Sequence, residues 1–89
     1  MKDFLEAWEA LPEGNFFGHY KGTRYGITRT ERDSGRQAWL WAEELGGPHR
    51  VSANLYRLAS GTLLKPCEMP EAVVIDFVLN VRPIAHEPR

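Results

Sequence analysis

Apolar residues recur at three-and-four spacing near both ends of the chain and at a spacing of two through its middle. Residues 3–11 set Phe4, Leu5, Trp8 and Leu11 on one helical stripe and Glu6 and Glu9 off it. Asp3 followed by Glu6 has the pattern of a capping box, in which each side chain satisfies a first-turn N–H. Pro12 and Gly14 then stop the helix. Near the other end, Pro70 opens a second helix at a first-turn position, where its missing N–H costs nothing. Glu71 complements the positive end of that helix dipole. Val74, Phe77, Val78 and Val81 form its stripe, and Val73, Ile75 and Leu79 add apolar surface outside it. A helix this apolar is mostly buried or carries a partner.

Between the helices the period is two. Residues 16–20 predict a short strand closed by Lys21-Gly22, and 23–31 a second strand rich in β-branched and aromatic types. Asp33-Ser34-Gly35 is a turn signal, and 36–44 form the returning strand. Gly46-Gly47-Pro48 breaks the pattern before a hairpin of 51–59 and 62–66 around Ser60-Gly61, whose Leu55, Leu58, Leu63 and Leu64 point toward a core. Pro66 has no N–H to donate, so the last strand is an edge or ends there. Residues 83–89 contain Pro83 and Pro88 without apolar period and read as a flexible C-terminal tail, leaving 1–82 as one domain. The expected fold class is α+β: an antiparallel sheet of four to five strands, flanked by a short N-terminal helix and a C-terminal helix.

Pairing Arg32 with Arg36 across the first turn sets Arg29 opposite Trp39 and Ile27 opposite Trp41, with Tyr25 on the same face. The other face then holds Gly26, Thr28, Thr30, Ala38, Leu40 and Ala42, groups small enough for close packing by a helix. A slip of one residue would exchange all these neighbours. The pattern leaves both an open sheet and a small barrel available.

Composition narrows the function. A chain of 89 residues supports one modest core. Eleven basic and twelve acidic residues give a net charge of −1, without the strong basic footprint of a general nucleic-acid binder. Cys67 is the only cysteine, so no intramolecular disulfide forms. The first residues lack the apolar run of a signal peptide, and no run approaches the ~20 residues that span a bilayer. The expected location is cytoplasmic and reducing, with no membrane partner.

Cys67 is the most reactive side chain. It lies in Lys65-Pro66-Cys67-Glu68-Met69-Pro70, just before the second helix, where a helix N-terminus and a lysine favour thiolate while Glu68 and Glu71 oppose it. A small buried residue at a strand end is the plainer reading. His19, His49 and His86 match no zinc spacing and read as solvated, so no metal or cofactor is expected. Glu43 and Glu44 point to opposite faces and form no acid/base pair, although one of them can face a polar cleft with Asn54 or Lys65. Arg24, Arg29, Arg32 and Arg36 cluster with Tyr20, Tyr25 and Trp39 on the first large hairpin, a mixture able to hold single-stranded nucleic acid, diluted here by Glu31, Asp33, Glu43 and Glu44. No phosphate-cradling glycine loop and no G-x-S-x-G is present.

The stretches Ala42-Glu43-Glu44-Leu45-Gly46-Gly47 and Leu64-Lys65-Pro66-Cys67-Glu68-Met69-Pro70, with the aromatic hairpin and the Asn54-Leu55-Tyr56 strand, resemble a family of small, mostly uncharacterised bacterial proteins. The resemblance runs from about Gly18 to Leu79. Some members carry a peptide methionine sulfoxide reductase label, which implies Cys67 as nucleophile toward sulfoxide sulfur and Glu68 as the acid that protonates the oxygen.

Without a catalytic constellation in the residues themselves, the leading expectation is a non-enzymatic binding or interaction module. Its binding residues would be Tyr25, Arg29, Trp39, Trp41, Asn54 and Lys65, and its partner an unidentified protein, a small molecule or a second copy of the chain. The thiol-dependent reductase and weak nucleic-acid binding by the arginine-bearing hairpin are the alternatives.

Overall fold

The structure is a computed structural model that describes the backbone of residues 2–88 and the side chains of 2–84. Its elements run α1 (Lys2–Ala10), β1 (Gly14–Tyr20), β2 (Thr23–Arg32), β3 (Gln37–Glu44), β4 (Arg50–Leu58), β5 (Gly61–Pro66), α2 (Glu71–Asn80) and β6 (Arg82–Pro88). The fold is α+β, and the strands make one open antiparallel sheet in the order β5-β4-β3-β2-β1-β6. Five strands follow one another as a meander. The sixth is reached when α2 carries the chain from the β5 edge back to the far side of β1.

The sixth strand corrects the expected count of four to five. The backbone of Arg82–Pro88, most of which falls in the 83–89 segment expected as a tail, pairs along β1, with a register shift between Phe16 and Phe17. Two local features permit this. Val81 is buried at the end of α2 over Gly18, where an added Cβ would come within 3.1 Å of the Val81 side chain and 2.9 Å of Ile27. A glycine there lets the chain turn close onto the sheet. The strand it enters is an edge, where Pro83 is tolerated without its N–H. His86 was expected to be solvated; its side chain lies outside those described.

The β2–β3 register differs by one residue from the expected pairing. The turn spans four residues, Asp33 to Arg36, and Arg32 pairs with Gln37. Gly35 N–H bonds to Arg32 O and Arg36 N–H to Asp33 O, both at 3.1 Å, and Asp33, Ser34 and Gly35 all take positive φ. Ile27 therefore opposes Ala42, and Arg29 opposes Leu40. The longer turn puts the aliphatic residues of both strands on one side. The expected pairing would have set the glycine and threonines of β2 under the helices instead.

That side is the core. Phe16, Ile27, Leu40, Ala42, Val51, Ala53, Leu55 and Leu64 are buried there, with Phe4 and Trp8 of α1 and Val74, Phe77 and Val78 of α2 packed onto them. Both helices lie against this one face and touch each other. Leu58 and Leu63, expected in the core, are about half exposed, because the hairpin directs only Leu55 and Leu64 inward. The helix starts also move. Asp3 lies inside α1 instead of capping it, and Pro70 is the N-cap of α2 instead of its first residue.

Arg29 ties α1 to the sheet. Its side chain is 8% exposed, with Nε donating to Leu11 O at 3.0 Å and Nη1 3.2 Å from Glu31 Oε2. A cation at the carbonyl end of a helix also complements the helix dipole. Arg57, 2.9 Å from Glu9, adds a second tie from β4.

This register predicts opposite outcomes for adjacent residues. Leu40→Ala should lower stability by about 2–5 kcal/mol through cavity formation. Trp39→Ala, on the other face, should change it by less than about 1 kcal/mol. Urea denaturation of the two variants measures both, and a larger loss for Trp39→Ala would contradict the register.

Candidate functional site

The second face of the sheet carries no helix. Alternation sends Phe17 outward from β1, Thr28 and Thr30 from β2, Trp39 and Trp41 from β3, Ser52, Asn54 and Tyr56 from β4, and Lys65 from β5. Ladder pairing aligns them in rows across the strands: Thr28–Trp41–Ser52, Thr30–Trp39–Asn54–Lys65 and Arg32–Gln37–Tyr56–Leu63. Cys67 extends the first row, because its N–H donates to Ser52 O at 3.0 Å.

Aromatic rings dominate the middle. The Trp39 and Trp41 rings lie 16° from parallel with centroids 6.4 Å apart. Trp39 is 37% exposed although it belongs to a central strand. Beside it, Thr30, Arg32, Gln37, Trp39, Asn54 and Tyr56 line a hollow of about 350 Å³. A second hollow of about 440 Å³ is lined by Trp41, Arg50, Ser52, Cys67, Glu68 and Met69, among others. Further along, the Arg24 guanidinium lies 4.4 Å from the centroid of the Phe17 ring.

Of the residues expected to bind, Trp39, Trp41, Asn54 and Lys65 meet on this face. Tyr25 and Arg29 do not. Both are buried under the helices, and the one-residue change of register is the reason. Arg29 is a structural tie and does not stack on Trp39. Cys67 is half-buried at the rim, 4.0 Å from the Asn54 amide nitrogen. The adjacent Glu68 is exposed and has a positive φ of 57°. Phe17 and Tyr56 were missed, although each occupies an outward position in its strand's alternation. Arg82 was missed because no strand was expected beyond α2; it pairs with His19 on the same face.

A separate polar cleft of about 540 Å³ lies where one end of the sheet meets α2. Tyr20 Oη donates to Asp76 Oδ2, and Lys21 Nζ stands 3.8 Å from the same oxygen. Tyr25 Oη lies 2.7 Å from His49 Nδ1, and the His49 N–H donates to Glu44 Oε1 at 3.2 Å. The Glu44 carboxylate fills the space that a Cβ on Gly47 would occupy. Glu43 points the other way, 4.0 Å from Arg50. These polar groups satisfy one another: Tyr20 and Lys21 fasten α2 through Asp76, and Tyr25 and Glu44 fasten the β3–β4 loop through His49. Burial, followed by the hydrogen bond to Asp76, pushes the Tyr20 phenol up to about 12. Burial and the nearby Glu44 also raise Tyr25.

Among the described residues, no three His, Cys, Asp or Glu side chains gather as metal ligands would. Among the described residues, no helix is long and apolar enough to cross a membrane. Compared with known proteins, the chain matches no family model, no curated protein and no solved structure.

A phenol whose pKa rises on folding is stabilising while it stays protonated. The contribution of Tyr20 should be complete below pH 10, its ordinary value, and should vanish as pH climbs through about 12. Phenolate absorbance during an alkaline titration should show a late step that disappears in Tyr20→Phe. A wild type without that step would contradict the buried hydrogen bond.

Proposed function

We propose that this protein is a non-enzymatic binding module whose ligand surface is the helix-free face of its sheet. One observation carries the reading: Trp39, on a central strand, is exposed and, with the half-buried Trp41 and Tyr56, borders hollows instead of a packed layer. Soluble domains seldom leave such a patch on a central strand without a partner. The core lies wholly on the opposite side, so ligand contact requires no opening of the fold. Polar groups at the rim of the hollow, the Gln37 and Asn54 amides and the Thr30 hydroxyl, supply orientation, as the few polar groups of a mainly apolar site do.

A panel of defined probes tests this: a neutral oligosaccharide, a proline-rich peptide, an acidic peptide and a single-stranded oligonucleotide. At least one should alter tryptophan emission at concentrations below about 1 mM. The same probe should lose its effect on Trp39→Ala while that variant stays folded. Silence from every probe would sink the reading.

Reduction of methionine sulfoxide is a second reading, favoured by one feature: Cys67 borders a hollow whose wall includes Trp41 and Met69, apolar surfaces suited to a thioether. In that chemistry the Cys67 thiolate attacks the sulfoxide sulfur and Glu68 protonates the sulfoxide oxygen. That oxygen passes to the Cys67 sulfur, giving a sulfenic acid as methionine is released, and an added dithiol returns the sulfenic acid to thiol, forming its own disulfide and water. The binding-module reading predicts no turnover of a methionine sulfoxide peptide with dithiothreitol. Turnover lost in Cys67→Ser would replace the first reading with the second.

A further inference from the structure

Charge is divided unevenly between the two sides of this fold. The chain as a whole is close to neutral, with 11 basic and 12 acidic residues. Among the described side chains, the helix-free face nevertheless projects Arg24, Arg32, Arg50, Lys65 and Arg82 against two carboxylates, Glu43 and, at the rim, Glu68. The balancing acids sit elsewhere: Asp3, Glu6 and Glu9 on α1, and Glu71 and Asp76 on α2. Near-neutral composition therefore conceals a cationic face. Among the described residues, neither Arg32 nor Lys65 enters an ion pair; Lys65 ends the Trp39 row on β5, and Arg32 begins the neighbouring row on β2, so the two stand on opposite sides of β3.

From this arrangement, and resting on the binding-module reading above, we infer that the ligand is a single-stranded nucleic acid lying across the helix-free face. Trp39, Trp41 and Tyr56 provide rings for stacking unpaired bases, and Arg32 and Lys65 meet the phosphates on either side. The hollow between Trp39 and Tyr56 has, in the Gln37 and Asn54 amides, groups that both donate and accept, as recognition of a base edge requires. A broad sheet face fits unpaired bases, which can splay onto it, better than it fits the grooves of a duplex. The same charge count disfavours a second copy as occupant, because two such faces would bring like charges together. It also disfavours a neutral polymer, which would leave the cations unused.

The test is fluorescence anisotropy of labelled oligouridylate and oligodeoxythymidylate, with a duplex of equal length as control. Three to five phosphate contacts predict that affinity for the single strands falls about 20- to 130-fold between roughly 50 and 200 mM salt. Arg32→Gln and Lys65→Gln should each flatten the slope of log affinity against log salt by about 0.7. Trp39→Ala should weaken binding about tenfold or more, the effect of losing one stacked base. Glu6→Gln, on the helical side, should leave affinity unchanged. No binding of either single strand, binding insensitive to salt, or binding unaffected by Trp39→Ala and Lys65→Gln would each overturn the assignment. If the oligonucleotide is silent while the oligosaccharide or a peptide binds through Trp39, the ligand class falls and the binding face stands. If every probe is silent, both fall. A dimer in light scattering that separates on Trp39→Asp would give the face to a second copy and overturn the assignment.

Discussion

The organisation of this protein depends on small side chains beneath the helices. Ala38, Ala42 and Ala53 alternate with Leu40, Val51 and Leu55 on the inner face of β3 and β4, and Ile27 meets them from β2. Alanines at these positions let the helices settle close to the sheet, so Phe77, Val74 and Trp8 fill the remaining depth. Burial of this kind contributes roughly 25 cal/mol per Å² of apolar surface removed from water. Because the strand period is two, satisfying the inner face leaves no freedom on the outer one. Every residue between the inward positions must point to the helix-free side, including both tryptophans of β3.

The outer face is thus a consequence of the core as much as a surface in its own right. Bulky aromatic side chains fall on the side where no helix competes for space. Five cations join them there, while five of the twelve acids sit on the helices that cover the other side. This partition gives an almost neutral chain two sides of opposite character, and it is the basis for reading the open face as a recognition surface.

The ends of the sheet show a different use of polar groups. Tyr20 with Asp76, and Tyr25 with His49, join α2 and the β3–β4 loop to the strand ends through paired donors and acceptors. Arg29 does similar work at the opposite end by holding the carbonyls of Leu11 and Pro12, just past the end of α1. In each case a polar side chain is buried beside a partner, as the cost of burying it alone demands. These groups therefore serve the fold, although residue type alone would have made them attractive as chemistry.

The sequence by itself determined the α+β class, the two amphipathic helices and five of the six strands to within a residue or two at their ends. Helical and strand periods are local properties, and glycine and proline punctuate them. It also marked Trp39, Trp41, Asn54 and Lys65 as binding candidates, since their types stand out at any register. Tertiary structure alone decided which of the marked residues share a face. The Asp33–Arg36 turn is one residue longer than expected, and that difference sent Tyr25 and Arg29 into the core and the tryptophans to solvent. It also decided that residues after Val81 form a strand, because β6 draws its pairing from the open edge of β1 and not from any apolar period of its own. The concentration of cations on one face was invisible for the same reason: charge along a chain is a sum, and only pairing between distant strands turns it into a pattern in space.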